Sequence, residues 1–326
     1  MSILESLLLS TQGALAQGVL WGIMVLGVYI TYKLLDIPDL TADGSFTLGG
    51  CVCTVAILHG INPILATLLG LLAGALAGAV TGILHTVFEI PAILAGILTQ
   101  IGLWSVNLRV MDGKANNPLL KAGTVISYVS DKTSLTQSQA SLVVGIVLVA
   151  VVIALLYWFF GTQIGSALRA TGDNPDMIRA LGVNIGHTKL LALSLSNALI
   201  GLSGAMVAQM QKYADINMGR GAIVIGLAAI VIGEVLFGWA KNFGMKLCAA
   251  VVGSMIYFIV QAYVLKLGFN PNDMKLLSAL LVAAALAIPV VLARQRQKNS
   301  YVEGDLYAQQ RVQEEKLPGN EDKRDD

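Results

Sequence analysis

Leu190–Met210 reads LLALSLSNALIGLSGAMVAQM, a run without one charged side chain. As a helix rising about 1.5 Å per residue it covers the ~30 Å of a bilayer's hydrocarbon core. Ser141–Phe160, SLVVGIVLVAVVIALLYWFF, is a second uncharged run of the same kind. Outward from these two, the 326-residue chain shows apolar segments at 13–35, 45–59, 63–85, 91–109, 140–161, 189–210, 222–238, 243–265 and 275–293. The whole is 56% hydrophobic and only 13% charged, against roughly 25% charged for soluble domains. Residues 294–326 alone hold 7 of the 21 Lys+Arg and 8 of the 20 Asp+Glu, so the remainder is poorer still in charge. The reading is an all-α, polytopic integral membrane bundle of eight or nine transmembrane segments. Segment 45–59 is short enough to be either a span or a re-entrant half-helix. Residues 1–293 form the membrane domain, and the polar tail 294–326 is expected to be disordered because it cannot bury enough apolar surface.

Several classes drop out. A net charge of +1 leaves no electrostatic footprint for nucleic acid. Cys51, Cys53 and Cys248 lie in apolar surroundings without the His or Cys companions of a metal site, so they read as buried thiols. The N-terminus has Glu5 where a signal peptide would carry Lys or Arg. There is no H-E-x-x-H, and no nucleophile with a His partner, so no catalytic residue is assigned. No G-x-x-x-x-G-K-[ST] phosphate loop is present either, and nucleotide energy would have to come from another chain. The glycines Gly70, Gly74 and Gly78 have the small-xxx-small spacing that lets helix backbones approach closely in lipid.

Arg169, Arg179 and Lys189 mark loop 162–188 as cytoplasmic, and Arg294, Arg296 and Lys298 do the same for the tail. Loop 110–139 then falls outside, although it carries Lys114, Lys121 and Lys132. Within loop 162–188, Asn174 is suited to cap a helix and Pro175 to begin it. Asp176 suits the positive helix start, and Gly182 the stop. The expected short helix offers Met177, Ile178 and Leu181 as an apolar edge, with Arg169 and Arg179 beside it. Such an edge is either a docking element or an interfacial helix resting on lipid headgroups.

The run Leu168-Arg169-Ala170-x-Gly172-x-Asn174-Pro175, followed by Arg179-Ala180-Leu181-Gly182-Val183-Asn184, resembles the cytoplasmic coupling loop of ABC importer permeases. The family is the one containing branched-chain amino acid, ribose-type sugar and nucleoside permeases. The resemblance extends through most of residues 15–293 and includes Ile37–Ser45, Glu89-Ile90-Pro91 and Gly226–Gly233. Leu35–Gly44 is most similar to a bacterial branch associated with tryptophan and tyrosine uptake. The resemblance implies a permease in the bacterial inner membrane, working as a dimer with a second, identical copy. It further implies an extracytoplasmic binding protein that delivers substrate, and two ATPase subunits that carry ATP and Mg. In that setting Arg169, Asn174, Pro175, Met177, Ile178, Arg179, Leu181 and Gly182 would receive the ATPase.

Lys33–Ser45 is the second informative stretch. Asp36, Asp39 and Asp43 lie between two apolar segments, with Pro38 and Gly44 interrupting any helix. Broken backbone at membrane depth is tolerated where it lines a protein-enclosed cavity, and half-helix ends commonly hold substrates or ions. The stretch is therefore either part of the translocation pathway, through Asp36, Asp39, Asp43 and Ser45, or a plain acidic loop with capping aspartates. Glu234 falls within segment seven, where an ionisable group is a functional candidate unless a base such as Lys241 pairs it. Gln100, with Thr99 and Asn107 on segment four, and Ser194, Ser196 and Asn197 on segment six, line the pathway or join helices. His85 and Glu89 are expected to form a local pair. The competing class is an ion- or proton-coupled secondary transporter using Glu234 with Asp39 or Asp43 and no ATPase.

Overall fold

The computed structural model describes residues 3–267 except 121, 240 and 241, together with isolated positions between 276 and 294. The chain divides into two compact units, Met1–Val282 and Ala283–Asp326, and in the second the described positions are helical. Most of segment 275–293 and the tail 294–326 lie outside the described residues.

Among its described residues the first unit is helical apart from one small ribbon and the connecting segments. Helix α1, Ile3–Tyr29, continues into a π-helical turn, Ile30–Leu34. Then come α2 Ala42–Leu58, α3 Pro63–Thr86 and α4 Ala92–Val110. Strand β1, Asn116–Pro118, is followed by α5 Val125–Thr133 and α6 Gln137–Gly161. Two short helices, α7 Gln163–Asp173 and α8 Pro175–Ala180, lead into α9 Ile185–Gln211. Strand β2, Tyr213–Asp215, pairs antiparallel with β1, and α10 Ala222–Leu236 and α11 Phe243–Lys266 follow. Among the described residues six helices are long and apolar enough to cross a membrane: Ser10–Leu34, α3, α4, α6, α9 and α11. The apolar helices α2 and α10 are shorter.

Helix α9 is the axis of the packing. Ser196 and Ser203 donate to the carbonyls of Gly27 and Leu20, both at 2.8 Å, so α1 lies antiparallel to α9. Glycines seat α3 on the same helix: a Cβ added at Gly74 would fall on the Asn197 carbonyl, and one at Gly78 on that of Leu193. The small-xxx-small spacing of the sequence thus serves close backbone approach. Helix α6 is the opposite case, with most of its surface turned away from the protein, as suits a helix solvated by lipid.

The two short apolar helices have a particular relation. Residues 35–41 fold back from the end of α1 to the middle of α9, where Asp39 meets Asn197. From there α2 runs parallel to α9 toward the ribbon, passing Gly201, Gly204 and finally Gln209. Residues 216–221 return from the ribbon, and α10 then runs the other way, past Met24 and Val28 to Ala249 and Lys33. The N-termini of α2 and α10 therefore meet deep in the bundle and their C-termini diverge. With residues 35–41, α2 passes from the end of α1 to the ribbon at the far end of α9, a broken crossing whose helical half is α2 and not a re-entrant turn.

Candidate functional site

The junction of the two short helices is built on carboxylates. Asp39, 4% exposed, accepts from the Thr41 backbone N–H at 2.9 Å and from Asn197 Nδ2 at 2.6 Å. A carboxyl group this deep is tolerated only when hydrogen-bonded. Beside it the hydroxyls of Thr41, Thr81 and Thr99 form a chain, at 2.7 Å and 2.9 Å, linking the entry of α2 to α3 and α4. Asp43 in the first turn of α2 accepts from the backbone N–H groups of Gly221 at 2.8 Å and Ile223 at 3.0 Å. It thereby caps the free N–H groups at the start of α10 and complements that helix's positive end. Thr47 adds a hydroxyl that accepts from the Gly219 N–H at 3.1 Å.

Against this junction lies a cavity of about 370 Å3 with a mixed polar and apolar lining. Its walls come from α2 (Asp43, Gly44, Thr47), α4 (Gln100, Ile101, Trp104, Ser105, Asn107) and the segment before α10 (Ile216, Asn217, Arg220). Asn107 is almost fully buried; its Nδ2 reaches the Gly44 carbonyl at 3.5 Å while its Oδ1 has no partner among the described residues.

The sequence candidates fall into three groups. Asp43 and Gln100 line the cavity, Asp39 sits in the adjoining network, and Ser45 is fully buried in the first turns of α2, its hydroxyl without a partner among the described residues. Asp36 is apart from them, exposed at the turn after α1 with φ at 55°. Glu234 is also apart, at the far end of α10, ion-paired with Lys33 at 2.8 Å. Lys241, the base anticipated for it, lies outside the described residues. His85 does not pair with Glu89 as anticipated: its ring meets the Ile90 carbonyl at 2.8 Å and Lys189 at 3.4 Å, while Glu89 turns outward with φ at 55°. The backbone turns left-handed at Glu89, and that carries the carboxylate off the α3 face.

Just ahead of the first turn of α9 stands α8. Asn174 Oδ1 accepts from the Met177 N–H at 3.0 Å, Pro175 fills the first position and Gly182 has φ at 83°. The capping expected from the sequence is present at both ends. Leu181 is 70% exposed and Met177 48%, whereas Ile178 is only 5% exposed and belongs to the inner side. The expected three-residue edge is thus a two-residue edge. Arg179 is exposed beside Asp176 at 3.6 Å. Arg169 is drawn inward: its guanidinium donates to the Phe160 carbonyl at 2.7 Å and lies 4.3 Å over the Phe243 ring. It braces the corner where α6 turns into α7 and meets α11.

Sequence reasoning did not single out Arg220, Trp104 or Asn217, nor the helix α7 and the β1–β2 ribbon. Only Arg220 left a signal, as a charge between two apolar segments beside Gly219 and Gly221.

These features define a polytopic membrane protein with a polar junction between opposed half-helices and a capped helix exposed at the other end. A family model described as "Branched-chain amino acid transport system / permease component" matches residues 10–286, and the chain belongs to that family. It is 42% identical over 273 residues to a tyrosine transport system permease protein of Clostridioides difficile, covering 84% of this chain and 89% of that one. It is 32% identical over 277 residues to the protein RP368 of Rickettsia prowazekii, covering 84% and 95%. It is 25% identical over 270 residues to the fructose import permease protein FrcC of Rhizobium meliloti, covering 76% and 71%. The chain is accordingly an ABC transporter permease, an integral membrane transport subunit and not an enzyme.

Proposed function

We propose that this chain is the membrane subunit of an ATP-driven importer in a bacterial inner membrane, moving an amino acid by alternating access. In this reading ATP and Mg reside on separate ATPase subunits, a binding protein outside the membrane delivers substrate, and two copies of the chain form the pathway. The carrying observation is α8: a helix capped at both ends that leaves Met177 and Leu181 exposed while Ile178 anchors it. Nothing in the fold requires those two apolar side chains outside, and a docked partner would cover them. Movement of α8 would pass through α7, whose Gly172 packs directly on the Leu34 carbonyl at the end of α1, to residues 35–41 and the half-helix junction.

The amino acid class is supported by the 42% identical tyrosine permease. The competing reading, a carrier driven by ions, would use Asp39, Asp43 or Glu234. All three carboxylates already have partners: amide groups, the α10 backbone and Lys33 respectively. The two readings separate on Leu181→Asp in the complex reconstituted with its ATPase. The importer reading expects the ATPase to be lost from the purified complex and ATP-dependent uptake to stop, with the variant still folded. Uptake persisting in vesicles that contain this chain alone would establish the carrier instead.

A further inference from the structure

The cavity at the half-helix junction contains one acid and one base, and their commitments differ. Asp43 has spent both carboxylate oxygens on the α10 backbone. Arg220, exposed at the cavity wall and near enough to Asp43 to feel its charge, forms no ion pair or side-chain hydrogen bond among the described residues. Its backbone is fixed by a hydrogen bond from its own N–H to the Asn217 carbonyl at 3.0 Å, in the tight segment ahead of α10. A guanidinium at a cavity wall presents a planar fork of donors, the shape that fits a carboxylate. The second observation is Asn107, a lining residue of the same cavity whose buried Oδ1 has no partner among the described residues. A buried acceptor left bare is costly and marks a place where a donor is missing. Gln100 and Ser105 add further polar groups on that wall, and Trp104 and Ile101 supply an apolar one.

We propose that this cavity binds an α-amino acid. Arg220 takes the carboxylate, Asn107 with Gln100 takes the ammonium group, and the Trp104 ring packs against the side chain. The proposal rests on the permease reading and adds to it a recognition step within the membrane subunit, with Arg220 as the specificity-determining residue. A volume of about 370 Å3 is within the usual range for small-molecule sites and has room for an aromatic side chain. Asp43 contributes indirectly, by fixing the α10 start that carries Arg220.

The test is equilibrium binding of radiolabelled L-tyrosine to the full-length protein in mild detergent, with competition by L-phenylalanine, by phenethylamine, which lacks the carboxylate, and by 3-phenylpropionate, which lacks the amine. The expected result is that phenethylamine competes roughly tenfold or more weakly than L-phenylalanine, as for loss of a charge-assisted hydrogen bond. In Arg220→Gln that preference should vanish, and Arg220→Lys should restore part of it. In Asn107→Leu the preference for L-phenylalanine over 3-phenylpropionate should fall. An unchanged carboxylate preference in folded Arg220→Gln overturns the proposal, and so does an absence of amino acid binding by the wild-type chain at millimolar concentration. Neither result touches the permease reading, which stands or falls separately on ATP-dependent uptake by the reconstituted complex.

Discussion

Helices α2 and α10 begin at the same place and are built for different duties. Thirteen of the 17 residues of α2 are buried, and its Gly49 sits against backbone: a Cβ there would fall on Gly201. Helix α10 buries a single face: its Gly226 meets side-chain atoms of Val28 and Met24 on α1, its Gly233 packs on the Ala249 carbonyl of α11, and its far end is held by the half-exposed pair Lys33–Glu234. One half-helix is locked in the core; the other is clasped at its start by Asp43 and at its end by an ion pair. Burial against backbone leaves no room for rearrangement, whereas contact through side chains and single polar clasps does. In the alternating-access reading, α10 is therefore free to slip only on its α1 side, moving together with α11, and α2 is the wall it shifts against.

The largest effect should come from forcing that wall. Gly49→Leu is expected to abolish recovery of monodisperse protein on gel filtration in mild detergent, while Gly226→Ala should be recovered normally. Equal losses from both would erase the distinction between the helices. Next comes Ile178→Asp, which places a charge at a buried position and should cost several kcal/mol, about 3 or more, seen as a large drop in melting temperature. Leu181→Asp, three residues on but exposed, should leave the melting temperature within about 1 °C of the wild type, as for a surface change. Uncapping α10 with Asp43→Ala should cost about 1–2 kcal/mol, and Asp43→Asn, which keeps one acceptor, less. The smallest effect belongs to Lys33→Ala or Glu234→Ala, about 1 kcal/mol at most because the pair is half exposed and screened. A loss from either that exceeds the Asp43→Ala loss would mean that α10 is fixed at its end and not at its start.

Much of this architecture was legible in the residues. Uncharged runs such as Leu190–Met210 mark the spans because hydrocarbon tolerates little else, and Asn174, Pro175 and Gly182 mark α8 because each meets a local backbone need. Local needs are what a sequence displays directly. The half-helix junction was visible only as an odd stretch, three aspartates broken by Pro38 and Gly44. Nothing local says that Asp39 meets Asn197 or that Asp43 caps a helix 178 positions away. Ile178 was misplaced on the outer edge for the same reason: on a helix of six residues, periodicity alone does not tell which side faces the bundle. Arg169 looked like a docking charge because the phenylalanine it covers, Phe243, comes from a distant part of the chain.

The most direct test of the account is uptake of radiolabelled L-tyrosine into proteoliposomes holding this chain, its partner ATPase and the cognate binding protein. Wild-type uptake should require ATP and the ATPase. Leu181→Asp should abolish it while the protein keeps its melting temperature. Uptake that ignores ATP, or that survives Leu181→Asp at the wild-type rate, would contradict the assignment of α8 as the place where the driving subunit acts.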